Sequence, residues 1–337
     1  MNRIFPIAAF VLLCLACGPV QGEIKRTDMV LGTVCTIRLI EGGTTKTTDE
    51  IFARLRQIED RMSVNKDGTE VAAVNAAAGK TAVKVSDDTF FVISKALDYA
   101  RLTDGAFDPT VGPLVKLWGI GTEAARVPAK SEIAAALALV GYRNVELDKS
   151  AKTVKLLRPG MRLDLGAIAK GYSADECARI LDAHKVKAAI IDLGGNILVY
   201  GKKKDKSPWK VGIQDPSSDR GEYIGIVTGP SMTVVTSGVY ERYFMKDGVR
   251  YHHILDTKTG SPIQNGLTSV SIIADSSIDA DGLSTSVFAL GLEKGKKLVE
   301  SLPDVKAIFI DSDRKVYLSE GMDAIFTMTN KTFSLQK

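Results

Sequence analysis

The sequence is short of the residues that hold small or metal-dependent folds together. Of 337 residues only four are cysteine and three are histidine. Cys14 and Cys17 belong to an N-terminal leader segment, which leaves Cys35 and Cys177, a pair without metal-ligand spacing. A metal-binding cysteine cluster is therefore excluded; two thiols in an exported chain can pair, and two buried free thiols acting as small apolar residues are the reading adopted. Charge of one sign is not concentrated either. Lys and Arg number 44 against 40 Asp and Glu, the basic residues are scattered, and Lys202-Lys203-Lys204 reads as a solvated loop, so no nucleic-acid partner is expected. Internal repeats and low-complexity tracts are missing as well. What remains is an ordinary globular composition, 45% hydrophobic and 25% charged, long enough for a large core in one large domain or two.

The apolar run Ile4 to Ala16, preceded by Asn2-Arg3 and interrupted only by Pro6, is too short to span a bilayer comfortably and reads as a secretory signal peptide. Leu13-Cys14-Leu15-Ala16-Cys17-Gly18 resembles the lipobox of bacterial lipoproteins, with Cys14 where a leucine is usual. Two outcomes stay open: residues 1–16 are removed and Cys17 becomes an acylated first residue, or cleavage near Ala16 or Gly22 releases a soluble protein. Residues 17–26 then form a linker, and residues 27–337 the folded domain.

Along that domain, Thr27 to Leu39 is expected as one strand, with Gly32 where a backbone or ligand comes close, and Thr47 to Met62 as an amphipathic helix. Ser86-Asp87-Asp88 can cap a helix that ends at Asp104-Gly105. Gly105 to Gly121 reads as a rigid apolar loop around a single acid, Asp108, as a ligand pocket wall or a core-covering loop would. A helix from Ser131 to Val140 and a hairpin of Val145–Asp148 with Thr153–Leu156 follow. The second half is strand-rich, through Ala188–Leu193, Ile197–Tyr200, Trp209–Gln214, Tyr223–Val227 and Thr233–Thr236, with helices from Asp281 to Leu290 and Lys294 to Leu302.

The chemistry concentrates at Asp164 to Asp175, DLGAIAKGYSAD. Arg162 to Leu165 alternates like a half-buried strand, Gly166, Ala167, Ala169 and Gly171 leave room around the backbone, and a helix starts at Ala169. Such a helix start can face a phosphate or metal; the same stretch also serves as a tight strand-to-helix connection. Asp281 and Thr285 share a helix face and offer hard oxygens suited to Mg²⁺, although capping by Asp279 or Asp281 explains them equally. His253 is a candidate base, or a histidine bonded to backbone or Asp256, and alternation puts His252 on the opposite face.

Taken together and in order, GAFDPTVGPL with Leu117-Trp118-Gly119, DLGAIAKGYSAD, Asp192-Leu193-Gly194-Gly195-Asn196, Thr236-Ser237-Gly238, His253-Ile254-Leu255-Asp256 with Thr259-Gly260, and Asp281 with Thr285 resemble the ApbE family of FAD:protein FMN transferases. The resemblance runs from about Thr27 to the last helix. It implies one α+β domain, strand-rich in its second half with helices packed around it. It also implies a bacterial cell-envelope enzyme at the periplasmic face of the inner membrane, which splits FAD, moves FMN onto a threonine hydroxyl of a flavoprotein subunit of a redox-driven ion pump or related electron-transfer protein, and releases AMP. By matching position it implies Mg²⁺ held by the carbonyl of Ala167 with Asp281 and Thr285. The implied FAD site is lined by Leu31, Asn65, Ala106, Phe107, Asp108, Asp164, Lys170 and Leu255, with His253 as base. Many members carry Leu-Ser-Thr-Tyr where this chain has Met62-Ser63-Val64-Asn65, so a flavin-stacking ring is expected to be absent and water better admitted. Mg²⁺-dependent hydrolysis of FAD to FMN and AMP, and non-catalytic FAD binding by a lipid-tethered protein, are the competing functions.

Overall fold

The computed structural model describes residues 22–219 and 221–336; the leader and Cys17 lie outside the described residues. The chain opens with the antiparallel hairpin β1 (Ile24–Val30) and β2 (Thr33–Glu41), followed by α1 (Thr45–Met62), α2 (Glu70–Ala76), β3 (Val83–Lys84), α3 (Asp87–Leu102), α4 (Gly112–Trp118) and α5 (Lys130–Leu137). After a 3₁₀ turn at Tyr142–Asn144 come β4 (Val145–Asp148), β5 (Thr153–Leu156), α6 (Ala169–Ala183), β6 (Ala188–Leu193), β7 (Asn196–Gly201), β8 (Trp209–Gln214), β9 (Tyr223–Gly229) and β10 (Met232–Gly238). The remainder is β11 (Tyr243–Lys246), β12 (Val249–His252), β13 (Leu267–Ala274), α7 (Ser277–Leu290), α8 (Leu292–Glu300), β14 (Lys306–Asp311), β15 (Lys315–Leu318), β16 (Phe326–Met328) and β17 (Ser334–Leu335). This is the expected α+β fold.

A nine-stranded sheet in the order β1-β2-β6-β7-β10-β13-β14-β15-β17 carries the rest. Neighbours pair antiparallel except β15 with β17. One face of its outer half is covered by the small sheet β16-β9-β8, through a core of Trp209, Ile213, Ile224, Val227, Ile308, Ile310 and Phe326. The opposite face is covered by α6 and α7, which pack against each other. Cys35 and Cys177 are both buried and free, and burial pushes the Cys35 thiol up to about 12, so both act as apolar filler as expected.

Several elements depart from the sequence reading. The expected strand Thr27–Leu39 is a hairpin: Leu31 and Gly32 take φ of 57° and 65° between the paired Val30 and Thr33, a tight I′-like turn. Leucine gives no signal for positive φ, which is why the sequence reads straight through. Ile24 to Arg26, assigned to a linker, are already strand because they pair with Leu39, Arg38 and Ile37. The Gly105–Gly121 loop contains a helix, α4, with Pro113 near its start where a missing N–H costs nothing and Gly119 closing it at φ 60°. Helix α7 begins at Ser277 rather than near Asp281, because Ser276 caps it by accepting the Asp279 N–H.

Candidate active site

A cavity of about 330 Å³ opens between the end of β10, the 106–111 segment, the Asp164–Ala167 turn, the starts of α6 and α7, and the ends of the β11–β12 hairpin. Ten of the expected site residues line it: Ala106, Phe107, Asp108, Asp164, Ala167, Lys170, His253, Leu255, Asp281 and Thr285. Leu31 and Asn65 do not. Leu31 turns into the core beside its cavity-lining neighbours Gly32 and Thr33, and Asn65 is exposed after α1, its N–H on Ser63 Oγ at 3.2 Å.

The turn before α6 is held in an unusual way. Arg162 to Leu165 makes a single bridge, Arg162 with Val111, and is otherwise not strand, so the alternation was misleading. The buried Asn75 side chain takes the place of a strand partner: its Nδ2 donates to Leu163 O at 3.0 Å, and Leu163 N–H donates to Asn75 Oδ1 at 2.6 Å. Asp164 N–H then reaches Pro109 O at 2.8 Å, tying the turn to the apolar wall. Asp164 Oδ1 accepts the Gly166 N–H at 2.8 Å, while burial raises its pKa above the usual carboxylate range. Asp108 lines the cavity, but both its oxygens are engaged. Oδ1 accepts from Thr110 N and Oγ1 at 2.7 and 2.6 Å, and Oδ2 accepts from Tyr142 N at 2.8 Å. Its carboxylate therefore shapes the wall.

The floor is the α6–α7 seam. A Cβ on Gly171 would stand 2.2 Å from Ser277 O and 2.6 Å from Asp281 Cβ, so only glycine allows the helices this close. Two carboxylates use the approach. Asp175 accepts the N–H groups of Ser277 and Ile278 at 2.8 and 2.9 Å, satisfying orphan donors at the start of α7, and Asp281 Oδ2 accepts the Gly171 N–H at 2.8 Å. Asp281 is therefore a buried residue a turn inside its helix, 4% exposed, and not at the helix start where the sequence reading puts it. Burial raises its pKa, opposed by the Lys170 ammonium at the head of α6. Thr285, one turn on, holds its hydroxyl 3.2 Å from Ser237 Oγ, which is also bonded to Ser284 at 2.8 Å. Asp279 does not cap; it bonds Lys95 and Tyr99.

This donor set fits Mg²⁺. It combines one buried carboxylate and a hydroxyl with the backbone of Ala167, three residues that line one cavity, while no group of three or more His, Cys, Asp or Glu gathers anywhere among the described residues. Such a set leaves most positions to water and substrate phosphate, as Mg²⁺ prefers.

The two histidines separate as alternation requires. His252 is buried, with Nε2 against Ile263 O at 2.8 Å and the ring edge-on to Phe288. His253 faces the cavity with Nδ1 3.3 Å from Arg242 O, which assigns the proton to Nδ1 and leaves Nε2 free to accept one. Burial and the Arg242 guanidinium lower its pKa to about 4, so it is neutral at neutral pH. Arg242 itself was missed. Its side chain runs from the Gly121 backbone toward Gly32 across the cavity mouth, and among the described residues it has no ion pair. Nothing in Tyr240-Glu241-Arg242-Tyr243 marked it.

Comparisons with known proteins agree with this geometry. Residues 31–309 match the model of the ApbE family. The chain belongs to the ApbE family. It is 38% identical to an FAD:protein FMN transferase of Treponema pallidum over 97% of both chains, and 42% identical to one from Klebsiella pneumoniae over 80% of this chain and 83% of that one. An ApbE protein of Thermotoga maritima superposes with a TM-score of 0.83 at 34% identity, covering 90% of this chain and 99% of the other. The flavin transferase ApbE of Vibrio cholerae gives 0.81 at 31% identity with the same coverage. The ApbE matches span the cavity-lining residues Ala106 to Thr285.

Proposed function

We propose that the chain is an FAD:protein FMN transferase that moves FMN from FAD to a threonine hydroxyl of an acceptor flavoprotein and releases AMP, with Mg²⁺ bound at Ala167, Asp281 and Thr285. The observation that carries this reading is the convergence on one cavity of a neutral, oriented imidazole at His253, cations at Lys170 and Arg242, and the hard oxygens of Asp281 and Thr285. Phosphoryl transfer needs these: charge neutralisation on the pyrophosphate, a base within reach, and fixed positions. When bound, Mg²⁺ would neutralise pyrophosphate charge.

In this reading Lys170 and Arg242 hold the pyrophosphate, and the Phe107 wall excludes water from the flavin side. The acceptor oxygen attacks the FMN phosphorus, its proton passes to His253 Nε2, and the phosphorus–oxygen bond to AMP breaks, AMP leaving with the bridging oxygen. Asn75 and Gly171 take no part in the reaction and fix the turn and the seam. Export, acylation at Cys17 and residence at the periplasmic face of the inner membrane are proposed with it, on the leader sequence alone.

The test is incubation of the purified chain with FAD, Mg²⁺ and an acceptor subunit. A denaturation-resistant fluorescent FMN adduct, formed in step with AMP, is expected. AMP together with free FMN and no adduct would make the protein a hydrolase, and intact FAD would make it a binding protein.

A further inference from the structure

The β11–β12 hairpin is the part of the molecule that the site chemistry leaves without a task. Asp247 and Gly248, at φ 51° and 78°, form its two-residue turn. One face is anchored: Phe244 and Tyr251 stack at 5.2 Å, and Tyr251 lies on Trp118 at 5.7 Å. The other face presents Tyr243, 43% exposed, and Met245, 55% exposed, with the Arg250 guanidinium 4.6 Å over the Tyr243 ring.

The backbone of β11 is open as well. The two-residue turn makes Lys246 with Val249, Phe244 with Tyr251, and Arg242 with His253 the hydrogen-bonded pairs, and the last is seen as His253 N–H on Arg242 O at 3.1 Å. The N–H and C=O groups of Tyr243 and Met245 therefore point away from β12. Among the described residues no third strand joins this sheet, and these groups make no backbone hydrogen bond outside the hairpin. An exposed apolar edge is normally blunted, because it recruits another strand.

Its position gives the edge a use. Arg242, just before β11, and His253, just after β12, both line the main cavity. Glu241 lines that cavity and also a second cleft of about 710 Å³, shared with Tyr243, Arg250, Gln214 and Glu222. A strand laid on β11 advances roughly 3.3 Å per residue, so three residues from Met245 bring it to Arg242, beside the base. An extended segment is narrow enough to carry a hydroxyl into the cavity that the half-buried His253 lines.

We propose that the protein acceptor docks as an extended segment added to the free edge of β11, with an apolar side chain on the Tyr243–Met245 face and its hydroxyl residue entering the cavity beside His253. This rests on the transferase reading above.

The test uses steady-state transfer by the full chain with FAD, Mg²⁺ and an acceptor protein that the wild-type chain labels. Met245→Lys is expected to raise KM for the acceptor by about tenfold. The affinity for FAD, and kcat at saturating acceptor, should not change. An unchanged acceptor KM overturns the docking site while leaving the transferase reading intact, and a wild-type chain that labels no protein overturns both. Should Met245→Lys not fold, a genetically encoded photo-crosslinking amino acid at position 245 serves, because it needs no unique thiol in a chain that also carries Cys14 and Cys17. Crosslinks flanking the labelled hydroxyl residue are the expected result, and crosslinks elsewhere or none reject the site.

Discussion

The floor and the flank of the cavity are built on opposite principles. At the floor, α6 and α7 touch backbone to backbone at Gly171, and Asp175 and Asp281 each tie one helix to the other. At the flank, the hairpin carrying Arg242 and His253 is held at its base by His252 and along one face by the Tyr251 stack on Trp118, and leaves Tyr243, Met245 and its edge to solvent. Charge on a pyrophosphate must be met at fixed positions, while a protein acceptor has to be admitted and released. Rigidity is therefore placed where the leaving group is stabilised, and openness where the acceptor arrives.

Substitutions on the two sides should separate these roles. Asp281→Ala removes the proposed metal ligand and should lower Mg²⁺-dependent turnover on the order of 10⁴-fold, with every acceptor alike. A variant that keeps near wild-type turnover and the wild-type Mg²⁺ dependence would show that Asp281 is not a ligand. Replacing His253 by Ala should slow transfer by about 10²- to 10⁴-fold while calorimetric FAD affinity stays the same; a parallel loss of affinity would make His253 a binding group. The pH profile carries the same assignment. With the imidazole held at about 4, below its ordinary 6.5, the acid limb of kcat/KM for wild type should fall near the lower value. Arg242→Gln should move that limb upward. The sign also applies to stability: the unfolded chain takes up this proton and the native chain does not, so the contribution of His253 to stability rises as pH rises from about 4 to 6.5.

Gly171→Ala asks whether the seam is as tight as it looks. The added methyl should cost about 1–3 kcal/mol in denaturant unfolding and lower turnover by moving Asp281. A fully stable, active variant would mean that the helices can separate without consequence. The smallest effect is expected at Asn65. Because that side chain is exposed away from the cavity, Asn65→Tyr should change FAD affinity by less than about twofold, in place of the tightening that its sequence context suggests. A larger gain in a fluorescence titration would bring the loop over the flavin.

The helices were legible where a cap and an apolar stripe coincide. Ser86 accepts the Thr89 N–H as its position implied, while α6 starts at Ala169 as its apolar spacing implied, without a side-chain cap. The cavity residues were legible because they sit in glycine- and acid-bearing clusters. What escaped depends on partners far along the chain. Asn75 acts as a strand for Leu163, Leu31 adopts a glycine-like φ, and Arg242 gains meaning only from the hairpin it precedes. Local pattern carries none of these. The I′ turn at Leu31-Gly32 is the clearest case, since propensity there favours the extended chain that tertiary pairing overrides.

The seam also sets the order in which the protein comes into being. Its contacts join Gly171 to Asp281 and Asp175 to Ser277, across 110 and 102 positions of sequence, and such closures form late because the intervening chain must first be drawn together. A growing chain that has not yet produced α7 lacks the carboxylate, the hydroxyl and the lock on α6 at once. The nascent polypeptide consequently has no assembled cavity floor, and activity should appear in one step, near the end of folding.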